Sequence, residues 1–180
     1  RSIWVTGVQT CALPILPSSM YAHLTDEDLG AITAYVRNFP QTEGVERKTQ
    51  LRLLGRVGIL TGQFEPQAAR IESLQKTPPP DPSDPLSQGR YLVMTACTEC
   101  HGANLQGWPF IGAPSLVVAA AYSPKDFAHL MRTGIGLGNR DLGLMTEMGK
   151  ERFSSFTADE VTAIRTYLQE FAQQGGSALP

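Results

Sequence analysis

The run Cys97-Thr98-Glu99-Cys100-His101 constrains this 180-residue chain more than any other feature. Two thiols stand three positions apart, and an imidazole follows the second at once. If the run closes a helical turn, the thiols lie on one face and the imidazole projects from the same side. The other cysteine, Cys11, and the other histidines, His23 and His129, are isolated in sequence.

Several chemistries use closely spaced cysteines. A thioredoxin-like dithiol needs a strand before the motif and a sheet around it, and no strand pattern precedes Cys97. A zinc site needs four ligands, usually from a second Cys or His pair at short spacing, and the chain offers no such pair. A haem has two vinyl groups on neighbouring pyrroles. Two thiols at this spacing can reach both as thioethers, and the next imidazole then meets the iron. This is the c-type haem attachment spacing, and the residues favour it over the alternatives.

Composition excludes other classes. With 15 basic and 17 acidic residues the net charge is -2, which leaves no basic footprint for nucleic acid. The 17 glycines and 13 prolines imply much loop and turn. The best apolar run, 111–122, contains Pro114 and is about half the roughly 20 residues needed to cross a bilayer. Residues Val5 to Ile15 resemble an in-frame translation of a sequencing-library adaptor, so residues 1–16 are set aside as an artefact, Cys11 among them. The gene is then expected to extend upstream, with its signal peptide missing here.

Helix signals bracket the chain. Thr25 caps a helix to Phe39, with Asp28 at the capping-box position, Leu29, Ile32, Tyr35, Val36 and Phe39 on one face, and Pro40 as the stop. Thr157 caps a second, to Ala172, with Glu160 completing the box and Val161, Ile164, Leu168 and Phe171 as its stripe. In register the two share Thr25/Thr157, Ala31/Ala163, Ile32/Ile164, Tyr35/Tyr167 and Phe39/Phe171, a weak internal repeat. Between them, helices are expected over 50–61 (interrupted by Gly55 and Gly58), 66–75, 87–96 and 124–132. Five prolines between Pro78 and Pro85 mark a linker. Gly134, Gly136, Gly138 and Gly143 punctuate a long loop, and no alternating strand pattern stands out.

These residues together resemble the class I c-type cytochromes, specifically the tandem-domain cytochromes of bacterial respiratory and dehydrogenase complexes. The resemblance implies an all-α fold, with N- and C-terminal helices crossing around a covalently bound haem c. It divides the chain into a remnant of a preceding cytochrome domain (17–40), a connector with the proline-rich linker (41–85), an intact domain (86–173) and a tail (174–180). It assigns Cys97 and Cys100 to covalent haem attachment and His101 to the iron. It favours Met145 as the second axial ligand, with Met148 as the alternative, and leaves Met94 and Met131 to packing. The Pro114 carbonyl resembles the family's acceptor for the ligand imidazole. Trp108 and Arg132 are candidates for the haem edge or its propionates. Gly89 would let the first helix approach the last near Ile164 and Tyr167, with Val93 on the same face. Met20 resembles the axial methionine of the preceding domain, which implies a second haem in the full-length protein, and His23 reads as a loop residue.

The function implied is electron transfer between redox partner proteins: a dehydrogenase subunit, other cytochromes or a terminal oxidase. The expected location is the periplasm, with membrane association of the full-length protein open. Balanced charge over 86–173, with 7 basic and 8 acidic residues, does not single out a partner. The competing classes are a haem enzyme of the dihaem peroxidase type and a gas-binding haem domain. Both need an open or labile distal position, and a ligand-type methionine in the expected place argues against them.

Overall fold

The computed structural model describes residues 18–40, 53–62, 71 and 77–177. The chain divides into two compact units, 1–76 and 77–180.

In the first unit, α1 (Ser18–Tyr21) is a single turn, followed by α2 (Asp26–Arg37) and α3 (Leu53–Leu60). Thr25 starts α2, its hydroxyl accepting the Asp28 amide at 3.1 Å, and three acidic residues sit at the positive end of the helix dipole. None of α2's residues is buried. Its apolar stripe is exposed, Tyr35 most of all at 68%, and Tyr35 meets Phe39 edge to face at 5.0 Å. Helical periodicity signals a face suited to burial but not what covers it. His23, read as a loop residue, lies in the turn between α1 and α2 and is buried there. Helix α3 runs through Gly55 and Gly58, a tolerable cost of about 1 kcal/mol each. The helix expected over 66–75 lies outside the described residues, Ile71 aside.

The second unit opens with α4 (Pro85–Ala96). It starts two residues before its expected position, because Asp84 accepts the Leu86 amide at 2.9 Å and Pro85 takes the first turn. A proline there serves the linker and the helix equally. One further turn, α5 (Thr98–His101), follows Cys97. Short 3₁₀ segments cover Pro109–Ile111 and Leu116–Ala121. Helix α6 (Pro124–Thr133) is capped by Ser123 and closed by Gly134 at φ +69°. A small antiparallel hairpin pairs β1 (Ile135–Gly136) with β2 (Arg140–Asp141), Ile135 opposite Asp141. Two-residue strands are too short to show alternation in sequence. Helix α7 (Leu144–Glu151) and a 3₁₀ turn (Phe153–Ser155) lead to α8 (Ala158–Gln173). The capping box of α8 is complete: Glu160 donates its amide to Thr157 Oγ1 at 3.2 Å, and its carboxylate accepts the Thr157 amide at 2.7 Å.

The core lies where α4 crosses α8. Tyr167, Phe171, Ile164, Val93 and Leu105 are the largest fully buried side chains, each contributing about 1.5–3 kcal/mol by leaving water. Met131 joins this core, as expected. The crossing is close because Gly89 has no side chain. A Cβ there would fall on the Ala163 carbonyl and stand 2.9 Å from Tyr167 Cβ. The all-α architecture expected from the resemblance is thus realised, with the hairpin as its one addition among the described residues.

Gly89→Val should therefore cost roughly 3 kcal/mol or more, since the obstacle is backbone that cannot repack. Gly30→Ala, in open space on α2, should be neutral or slightly stabilising. Urea denaturation followed by circular dichroism checks both.

Candidate haem site

Helix α4 delivers Cys97 as its last, C-cap residue, and α5 adds one more turn. The Cys97 carbonyl accepts amides from Cys100 at 3.3 Å and His101 at 3.0 Å, so both thiols and the imidazole come from one wound segment. Both cysteines are unbridged and half-buried. Gly102, at φ +78°, ends the turn and sends the chain away from His101.

His101 is 9% exposed, and its Nδ1 lies 2.8 Å from the Pro114 carbonyl oxygen. A carbonyl only accepts, so the proton sits on Nδ1, and Nε2 keeps its lone pair for a metal. Burial pushes the His101 pKa below the usual histidine value, partly opposed by the bond to Pro114. The imidazole is therefore neutral at neutral pH, the form an iron ligand needs. The expected acceptor role of Pro114 is realised in this geometry.

The loop that brings Pro114 to His101 is fastened at several points. Gly107 donates its amide to the His101 carbonyl at 2.8 Å, Trp108 and Ala113 exchange two backbone bonds, and Leu116 donates to Leu105 at 2.8 Å. Gly107 is indispensable here: at φ +89°, a Cβ would stand 2.7 Å from the Ser115 nitrogen. Sequence reasoning missed Gly107, because nothing in its neighbours announces that the chain returns thirteen residues after His101.

The electrostatics separate the candidate chemistries. Burial, with the Cys100 charge beside it, pushes the Cys97 thiol up to about 12. Burial and Glu99 raise Cys100 as well. A redox-active dithiol needs the opposite, a thiol held as thiolate near neutral pH. Nor do three or more His, Cys, Asp or Glu side chains among the described residues converge as a bare metal ion would require. Two half-buried thiols and one buried imidazole on a single wound segment are a donor set that would suit a porphyrin held by its edge and its iron. The residues fit the haem.

Met145 and Met148 stand one turn apart on α7 and are both half-buried. The Gly-rich loop ends before them, so Met145 lies in the first turn of a helix and not in the loop itself. Trp108 is half-exposed, and Arg132 is exposed in the last turn of α6.

Residues 86–172 match the Cytochrome c family. With the crossed helices and the Cys97–His101 turn, this segment forms a c-type cytochrome domain of the all-α class I fold. The chain is also similar to the fructose dehydrogenase cytochrome subunit of Gluconobacter japonicus, 27% identical over 180 aligned residues. That alignment covers 87% of this chain and 36% of the relative, so the chain spans about a third of the relative's length. The domain binds haem c covalently and serves haem-based electron transfer.

Replacing Cys97 and Cys100 together by serine should abolish haem that survives denaturation, read by haem staining of a denaturing gel. Each single variant should keep one thioether and stain more weakly. Undiminished staining of the double variant would show that attachment lies elsewhere.

Proposed function

We propose that this chain is an electron carrier whose haem iron is held by His101 and Met145, acting as a relay in a bacterial dehydrogenase or respiratory chain. The observation that carries this reading is the His101 geometry within a cytochrome c domain: a buried neutral imidazole, its Nδ1 proton committed to Pro114, with Nε2 left for the iron. When bound, the haem supplies an iron that alternates between ferric and ferrous states. His101 orients the ring plane through the Pro114 bond. Cys97 and Cys100 fix the edge of the macrocycle to α4 and α5. A thioether from Met145 is a soft donor that favours the ferrous state and raises the potential. With both axial positions filled by protein, small molecules have no ready place on the metal, which favours a carrier over a peroxidase or gas binder.

The wider setting follows from the relative that carries the name of a dehydrogenase's cytochrome subunit. The partners proposed are a dehydrogenase subunit, other cytochromes or a terminal oxidase, and the compartment is the periplasm. No helix among the described residues is long and apolar enough to cross a membrane. Residues 17–40 are read as the closing part of a preceding cytochrome domain, with Met20 as its axial ligand and a second haem in the full-length protein. The register shared by α2 and α8 supports this, as does an alignment with the relative that extends beyond 86–172.

Met145→Ala should remove the weak far-red absorption band of a ferric methionine–iron bond, lower the midpoint potential and admit cyanide. Met148→Ala should leave all three unchanged. If the unsubstituted ferric protein bound cyanide at once, the carrier reading would fail.

A further inference from the structure

We propose that Thr146 is a positioning residue that locks Met145 in the orientation needed for axial ligation; the inference rests on Met145 being that ligand. Thr146 is one of three buried polar side chains among the described residues, with His23 and His101, and only 4% of it is exposed. Its hydroxyl meets two backbone partners, with the Asp141 carboxylate as a further neighbour in hydrogen-bonding reach. It accepts the Leu142 amide at 2.8 Å and donates to the Gly134 carbonyl at 2.8 Å.

This is unlike the other helical threonines. Thr33, Thr95, Thr133, Thr162 and Thr166 each donate to a carbonyl four residues back in their own helix, and Thr98 donates to Met94, four residues back at the end of α4. That bond is local and steers nothing beyond the helix. Thr146 reaches a carbonyl twelve residues away, at the end of α6. One hydroxyl therefore ties together the end of α6, the exit from the hairpin and the first turn of α7.

The packing around this tie leaves α7 little freedom. A Cβ on Gly134 would stand 2.6 Å from the Thr146 carbonyl carbon, and one on Gly149 would stand 3.1 Å from the Leu130 oxygen while falling on the Gly134 backbone. Helix α7 thus lies backbone to backbone on α6. Its rotation about its own axis is set by which of its residues face Gly134, and Thr146 and Gly149, three positions apart, are those residues. Met145 is the immediate neighbour of Thr146, so fixing Thr146 fixes the direction in which the Met145 side chain leaves the helix. Asp141 adds an outer tie by accepting the Gly143 amide at 2.7 Å, but that bond is exposed and competes with water.

The experiment uses the haem-loaded chain and follows imidazole displacing methionine from ferric iron, read by loss of the far-red band. Thr146→Val keeps the shape and removes the hydroxyl. It should speed displacement about tenfold, the scale of losing a satisfied buried hydrogen bond. Thr146→Ser should stay within about twofold of the parent, because its hydroxyl remains. Val161→Ala, in the core on α8, should lower the melting temperature without changing the displacement rate, which separates positioning from general destabilisation. If Thr146→Val yields no haem-loaded protein, Thr146→Ala carries the same comparison. An unchanged rate in the hydroxyl-free variant, or Thr146→Ser as fast as Thr146→Val, overturns the proposal while the ligand reading stands. Loss of the band in Met148→Ala and not in Met145→Ala overturns both.

Discussion

The contact between Gly89 and the Ala163 carbonyl sets the distance at which α4 and α8 cross, and the rest of the domain is hung on that distance. Val93, one turn beyond Gly89, meets the same core as Ile164, Tyr167 and Phe171. One further turn brings Cys97, so the crossing also determines where the Cys97–His101 segment starts. A side chain at Gly89 would push the helices apart and displace the thiols with them. Packing and cofactor attachment are therefore one constraint, transmitted along a single helix.

The second constraint is the return of the chain to His101. Two glycines do different work there. Gly102 turns the chain out of α5, and Gly107 lets the 113–115 stretch lie against it, which no side chain would permit. The Pro114 carbonyl then meets an imidazole that burial has already made neutral. The same group that orients the ring also decides which nitrogen holds the proton.

What could be read from the sequence divides along physical lines. Local signals were legible: Thr25 and Thr157 as caps, and the Cys97–His101 spacing. Each depends on residues within one turn of each other. The acceptor role of Pro114 was available only through resemblance, since nothing local links residues 101 and 114. Contacts made by backbone alone were not legible: the two-residue hairpin, the bare approach of Gly134 and Gly149, and the return at Gly107. Thr146 reads as an ordinary helical threonine until its distant acceptor is known. The stripe on α2 was legible as apolar, but its exposure was not, because periodicity describes a face and not its partner.

The burial of Cys97 bears on the order of events during maturation. In the closed fold its thiol holds its proton up to a pH of about 12, which makes it a poor nucleophile under physiological conditions. The helices that cross at the core stand at opposite ends of the domain, so their meeting must close a long loop and carries its entropic cost. Before that closure the motif is a short exposed turn with ordinary cysteine reactivity. A chain still open at this crossing would therefore offer Cys97 to a haem more readily than the closed fold does.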